Sequence, residues 1–195
     1  MKGKLEKNKK TMFDNKNFWN ERYETNIKLG SGRGSRGKFI KMKETLVDGA
    51  VKQYNVESVL DIGCGDCEVN KNIRFKKYTG TDVSDYVIER NSILFPQRSF
   101  ILANFDDLTM SGKKYDMVIC FDVLIHQPNL ADYRKGITAI KNSFNKVALV
   151  SGFEKFKTKG ICYFYESICD SFSEYNVEIL TRFHQQTLLK ITKND

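Results

Sequence analysis

Residues 59–66, with the sequence Val-Leu-Asp-Ile-Gly-Cys-Gly-Asp, constrain the fold of this chain more than any other segment. The apolar run predicts a buried strand, and the glycines that follow predict a sharp turn that opens a helix. Glycine lets a ligand approach the backbone without interference from a Cβ atom, and a helix N-terminus offers free N–H groups. Nineteen residues after Gly63, Asp82 ends the next predicted strand, where a carboxylate can accept hydrogen bonds from ribose hydroxyls. Together these features predict a site for a cofactor that contains adenosine.

The rest of the chain alternates predicted strands and helices. Apolar periodicity predicts helices at 17–24, 38–54, from about Ser84, and at 131–144, and strands at 59–62, 78–83, 100–103, 115–121 and 147–150. Two further β-rich runs, 177–183 and 187–191, are joined by residues 184–186 and predict an antiparallel hairpin. The expected fold class is α/β: a Rossmann-like, doubly wound, mostly parallel sheet with a C-terminal antiparallel β-hairpin and an N-terminal helical extension.

The length of 195 residues suits a single domain with an extension. We expect a basic flexible tail at 1–15, N-terminal helices and a glycine-rich loop at 16–55, and the cofactor-binding domain at 56–195. Residues 1–10 hold five lysines and one glutamate, so half of the net charge of +8 lies in these ten residues. The sequence shows no apolar membrane span or signal region, and its odd number of cysteines indicates reduced thiols. These features predict a cytoplasmic protein with no membrane partner.

Two residues near the glycine turn distinguish among the cofactors that contain adenosine. A dinucleotide fingerprint requires a small residue three positions after its second glycine, and this sequence has Glu68 there. Asp61 precedes the turn, where a pyrophosphate gains nothing from a carboxylate. S-adenosylmethionine (SAM) instead carries an ammonium and a sulfonium, which a carboxylate attracts. The residues therefore favour SAM over a dinucleotide.

At residues 56–150 the sequence resembles the class I SAM-dependent methyltransferases, whose first strand is similar to Val-Leu-Asp-Ile-Gly-Cys-Gly. Residues 115–120 resemble that family's fourth strand, and Asn104 stands where its third motif usually has an acidic residue near the adenine amino group. The resemblance implies SAM as the cofactor, S-adenosylhomocysteine (SAH) as the product, and a cofactor-binding set of Asp61, Gly63, Cys64, Gly65, Asp82, Val83, Asn104, Phe105 and Phe121.

The front segment resembles the leader of small bacterial and phage methyltransferases. It contains Trp-Asn-Glu-Arg-Tyr at 19–23 and Ser-Gly-Arg-Gly-Ser at 31–35. The resemblance implies a lid that folds over the cofactor and excludes water, formed by Trp19, Tyr23, Ser31, Gly32, Gly34 and Ser35. An aromatic helix packed at the sheet edge beside a loose loop is the alternative interpretation.

Two residues after the fourth predicted strand are candidate catalytic groups. His126 could take a proton from an attacking hydroxyl or amine, and Asp122 is a second candidate base. Each has an alternative role in holding the loop in shape. The Cys-x-x-Cys at 64–67 serves the glycine turn, so we do not interpret it as a redox motif, and with only two histidines and no second close cysteine pair we predict no metal site.

The sequence restricts the methyl acceptor without naming it. No Asp/Asn-Pro-Pro-aromatic motif follows the fourth strand, and no Pro-Cys pair occurs, which disfavours amino and C5 methylation of DNA bases. The leading hypothesis is O- or N-methylation of a small molecule such as a sugar. Ribose 2′-O-methylation of RNA is the alternative, because Lys41, Asp122, Lys155 and Glu178 follow the order of that family's Lys-Asp-Lys-Glu set and the basic tail suits a polyanion. A SAM-binding regulatory domain without catalysis also remains open, and oligomeric state is not predicted.

Overall fold

The computed structural model describes residues 13–26 and 28–194. The predicted basic tail at 1–15 therefore lies mostly outside the described residues. The helices are α1 (Asn15–Thr25), α2 (Lys38–Gln53), α3 (Asp85–Leu94), α4 (Phe105–Ser111) and α5 (Leu130–Ser143). The strands are β1 (Ser58–Ile62), β2 (Lys77–Asp82), β3 (Ser99–Leu102), β4 (Tyr115–Cys120), β5 (Phe144–Phe153), β6 (Asn176–Phe183) and β7 (Gln186–Thr192). Within the described ranges, no helix is both long and apolar enough to cross a membrane.

The seven strands form one sheet in the order β3-β2-β1-β4-β5-β7-β6. The first five strands run parallel, and β7 pairs antiparallel with both β5 and β6. The chain moves outward from β1 through β2 to β3 and then returns to the other side of β1 at β4. This change of direction opens a crevice at the carboxyl ends of β1 and β4, where doubly wound sheets bind ligands. The predicted fold class is confirmed.

Both faces of the sheet are covered, as the apolar central strands require. On one face, Ile137 and Ile140 of α5 pack against the central strands. On the other face, Val47 and Ala50 of α2 are buried against the sheet, together with residues of the connection between β1 and β2. The C-terminal hairpin matches the prediction except in its connection. Only His184 and Gln185 form the turn, both with positive φ, because residue 186 already pairs with β5.

The prediction of a helix directly after the glycine turn is wrong. Residues 63–72 form a series of turns, and no helix occurs between 63 and 76. Cys67 adopts a φ of 59°, a left-handed conformation that interrupts an α-helix. The Arg98 guanidinium then donates to the backbone carbonyls of Asn70 and Ile73 at 2.9 and 3.0 Å, so these oxygens are satisfied without helical bonds.

Candidate active site

A cavity of about 410 Å³ lies at the carboxyl ends of β1, β2 and β4. Its size is within the range of sites that hold small molecules. Its wall includes most of the predicted cofactor residues, namely Asp61, Gly63, Cys64, Asp82, Val83, Asn104, Phe105 and Phe121. Gly65 does not line the cavity. The structure thus brings together at one place residues that are up to 60 positions apart in the sequence.

The glycine turn has the backbone conformation that its sequence predicts. Gly63 and Gly65 have φ values of 67° and 51°, which L side chains rarely adopt. A Cβ atom at Gly63 would overlap the Val123 side chain, and one at Gly65 would overlap the Ser31 hydroxyl. Gly65 therefore supports the cavity without lining it, because its backbone N–H donates to Asp82 Oδ2 at 3.0 Å.

Asp82 closes β2 as a buried carboxylate with two backbone donors. The N–H of Ser84 donates to its Oδ1 at 3.0 Å, in addition to the bond from Gly65. Burial raises the pKa of Asp82 to about 6, and the backbone hydrogen bonds oppose that rise. Each oxygen keeps a lone pair that a ribose hydroxyl can use.

Asp61 is likewise buried and lies at the end of β1. Its Oδ2 accepts from Tyr78 Oη at 2.6 Å and from Asn70 Nδ2 at 2.7 Å. Burial raises the pKa of Asp61, and these hydrogen bonds oppose the rise. Neither Asp61 nor Asp82 has a cationic partner within ion-pair distance among the described residues. A cation bound beside Asp61 would therefore stabilise the ionised form of its carboxylate.

The glycine-rich loop lies directly over the glycine turn. Ser31 Oγ donates to Asp66 Oδ1 at 2.9 Å, and the Asp66 N–H donates to Ser31 Oγ at 3.1 Å. Arg36 forms an ion pair with the same carboxylate. Although burial opposes ionisation, the hydrogen bonds and charge of Arg36 hold the pKa of Asp66 below its ordinary value. Neither Arg36 nor Asp66 is among the site residues predicted from the sequence.

The predicted lid residues divide into two groups. Trp19, Tyr23, Ser31 and Ser35 line the cavity, whereas Gly32 and Gly34 do not. Tyr23 is buried and its hydroxyl lies 3.2 Å from Ser31 Oγ, which joins α1 to the loop. The front segment therefore packs over the cavity, while its function as a lid stays a prediction.

His126 lies at the cavity wall in the short 3₁₀ helix Leu124–His126. Its Nδ1 is 2.8 Å from the Ile161 carbonyl oxygen, which can only accept, so Nδ1 carries the proton. Burial lowers the pKa of His126. The imidazole is therefore neutral near pH 7, and its Nε2 keeps a lone pair. The Trp19 and His126 rings pack in a T-shaped arrangement with their centroids 5.2 Å apart.

Asp122 is held differently, and its geometry disfavours the proposed role of base. Its Oδ2 accepts from Lys43 Nζ at 2.6 Å, and its Oδ1 accepts from Gln186 Nε2 at 2.7 Å and from Ser151 Oγ at 3.3 Å. Its φ of 61° is also left-handed. The ion pair and these hydrogen bonds favour the alternative role of Asp122, which is to hold the loop after β4 in shape.

The ion pairs of Asp122, Lys41 and Glu178 do not support the set suggested for RNA ribose methylation, and that alternative stays a prediction. Asp122 pairs with Lys43 instead of Lys41, whose exposed ammonium pairs with Glu44. Glu178 pairs with Lys190 in the middle of the hairpin, five residues before the end of β6. The order of four residues along the chain did not predict their positions in space.

Asn104 lines the cavity, and its role at the adenine stays a prediction. Its Oδ1 accepts from the backbone N–H groups of Asp106 and Asp107 at 2.8 and 3.0 Å, and the Asp107 carboxylate accepts from the Asn104 N–H at 2.9 Å. This is a complete capping box at the start of α4. The carboxamide oxygen is thus already used by the backbone.

The cysteines of the 64–67 motif do not favour redox chemistry. Both side chains are buried, and the five described cysteines form no disulfide. A hydrogen bond with Cys67, together with burial, raises the pKa of Cys64 well above its ordinary value. A thiol of this kind is a poor nucleophile near pH 7.

Comparison with known proteins agrees with this geometry. Residues 60–142 match a family model described as a methyltransferase domain. No curated protein sequence matches the chain.

Several solved structures share the fold at low sequence identity. The N-methyltransferase NodS from Bradyrhizobium japonicum, crystallised with SAH, has a TM-score of 0.69 and 14% identity over 93% of this chain and 100% of its own. Magnesium protoporphyrin IX methyltransferase from Synechocystis, with bound SAM, has a TM-score of 0.62 and 20% identity over 94% of this chain and 99% of its own. The amino pentose methyltransferase CalS10 from Micromonospora echinaspora has a TM-score of 0.67 and 13% identity over 88% of this chain and 96% of its own. Residues 60–142 are therefore similar to a methyltransferase domain, and over most of its length the chain has the Rossmann-like fold of these solved SAM-dependent methyltransferases.

Proposed function

We propose that this chain binds SAM in the cavity and transfers its methyl group to a nitrogen or oxygen of a small-molecule acceptor. One observation carries the proposal: Asp61 and Asp82, two buried carboxylates without cationic partners among the described residues, flank the Gly63 turn in one cavity. Asp82 suits the ribose hydroxyls, and Asp61 suits the cationic methionine end. The three proteins of the same fold named above were each solved with SAM or SAH, which supports this choice of cofactor.

The charge of the cavity supports a neutral or cationic acceptor. Two lysines line the cavity, Lys16 and Lys135, against eight acidic residues, which are Asp14, Asp61, Asp66, Glu68, Asp82, Asp106, Asp122 and Asp132. This acidic lining contrasts with the net charge of +8 of the whole chain. Such a lining repels phosphates, which disfavours RNA. Relatives that are N-methyltransferases or act on an amino pentose favour an amine or amino sugar as the acceptor.

His126 is the proposed general base. When bound, SAM supplies an electrophilic methyl group on a sulfonium. The Ile161 carbonyl fixes the protonated Nδ1, so Nε2 can accept a proton from the acceptor's N–H or O–H. The front segment at 16–55 is the proposed lid, since Ser31 and Arg36 secure it to Asp66 and the closed lid excludes water.

A two-stage experiment tests this function. SAH is first titrated into the protein by calorimetry, and transfer from methyl-labelled SAM is then measured with amino sugars, their hydroxyl analogues and single-stranded RNA. We expect SAH binding and labelling of an amine or alcohol. Absence of SAH binding would refute the proposal, SAH binding without transfer would favour a regulatory domain, and labelling of RNA alone would establish the alternative acceptor.

A further inference from the structure

We infer that the side-chain oxygen of Asn15 accepts a hydrogen bond from the 6-amino group of the bound adenine. The inference rests on the proposed SAM binding and adds a cofactor-contacting residue from outside the residues that match the methyltransferase family model. Asn15 is the first residue of α1 and lines the cavity.

The orientation of the Asn15 amide follows from a chain of hydrogen bonds. Gln127 Nε2 donates to the Val123 carbonyl at 2.9 Å, and that carbonyl oxygen can only accept. The Gln127 Oε1 therefore faces Asn15, whose Nδ2 donates to it at 3.3 Å. The Asn15 Oδ1 is therefore the last acceptor in this series of hydrogen bonds.

The Asn15 Oδ1 is buried and has no hydrogen-bond partner among the described residues. A buried acceptor without a donor costs free energy, and native proteins rarely leave one in that state. Because Asn15 and Gln127 both line the cavity, a ligand there is the natural source of the missing donor. That ligand must present an N–H or O–H group.

Elimination among the donors of SAM identifies the adenine amino group. Asp82 is the proposed acceptor for the ribose hydroxyls, and Asp61 is proposed to attract the ammonium. The adenine amino group still needs an acceptor, because the Asn104 oxygen is used to cap α4. Phe105 and Pro128, which follow Asn104 and Gln127 in the sequence, line the same cavity. Asn15 can therefore supply the acceptor that Asn104 does not.

Calorimetry with two ligands tests the inference. The ligands are SAH and its purine analogue, which lacks only the 6-amino group, and the proteins are the wild type, Asn15→Ala and the control Asn17→Ala. Asn17 lies on the same helix and is exposed. We expect Asn15→Ala to weaken SAH binding about tenfold and to leave the affinity for the purine analogue unchanged. Asn17→Ala should change neither affinity.

The outcomes separate this inference from the proposed function. If the wild type binds neither ligand, SAM binding itself is refuted. If the wild type binds SAH but Asn15→Ala weakens both ligands equally, Asn15 only supports the lid and the inference is overturned. Unchanged SAH affinity in Asn15→Ala overturns it as well.

Discussion

Lys43 Nζ lies 2.6 Å from Asp122 Oδ2, and the lysine side chain is fully buried. The same ammonium donates to the Gly34 carbonyl at 2.9 Å and lies over the rings of Phe121 and Phe183. One buried cation thus connects α2, the glycine-rich loop and the loop after β4. A buried charge of this kind is tolerated only when it is paired and hydrogen-bonded.

Replacing this lysine should destabilise the fold. Lys43→Met leaves Asp122 partly buried without its counter-ion, and we expect a loss of ~3–5 kcal/mol in the free energy of unfolding. Denaturant titration measures the loss, with the exposed Lys41→Met as the control. The double variant Lys43→Met with Asp122→Asn should recover part of the loss. A decrease below about 0.5 kcal/mol for Lys43→Met would show that the pair contributes little.

Substitution at the glycine turn should abolish cofactor binding. Gly63→Val forces a branched side chain into a left-handed φ and against Val123, so we expect no measurable SAH binding by calorimetry. Gly112→Val is the control, because Gly112 has a φ of 60° but open space around it. The control should lose some stability and bind SAH normally. Wild-type affinity in Gly63→Val would place the cofactor elsewhere.

The protonation of Asp82 should make SAH binding depend on pH. With a folded pKa of about 6, raised above the ordinary value of 3.8, the carboxyl is still partly protonated in mild acid. Its raised pKa contributes stability below about pH 4, and that contribution is lost as the pH rises through about 6. Ribose hydroxyls donate to the ionised form, so SAH affinity should increase from about pH 5 to about pH 7.5. Asp82→Asn should remove this dependence, and an equal slope in the variant would assign it to another group.

His126 should govern the chemical step and not the binding of the cofactor. We expect His126→Ala to keep the SAH affinity and to lower kcat by about 10²–10⁴. Because burial lowers the pKa of His126, the wild-type rate should fall in acid only below the ordinary histidine pKa of 6.5. The control is His184→Ala, in the hairpin turn. Equal kcat in wild type and His126→Ala would return this residue to a structural role.

Much of the fold could be predicted because its strands are short apolar runs with clear ends. β1, β2 and β4 lie within about one residue of their predicted limits. In contrast, α4 was not predicted, since it has only seven residues and none of them is buried. A helix this short, with only Phe105 and Leu108 packed partly buried against the core, leaves too little apolar periodicity to detect in the sequence.

The site was predictable only where a local motif marks it. The glycine turn and Asp82 stand at fixed spacing, and they line or support one cavity as predicted. The burial of Lys43 could not be predicted from the sequence, because a lysine in a helix is usually exposed. Asn15 and Gln127 are 112 residues apart, so only the folded chain brings their amides together.

The titration of SAH into the full-length protein tests the central claim most directly. The account predicts saturable binding to a single site per chain, with a dissociation constant in about the micromolar range, and no binding of a nicotinamide dinucleotide. Saturable binding of the dinucleotide, or no heat from SAH at about 1 mM, would contradict it.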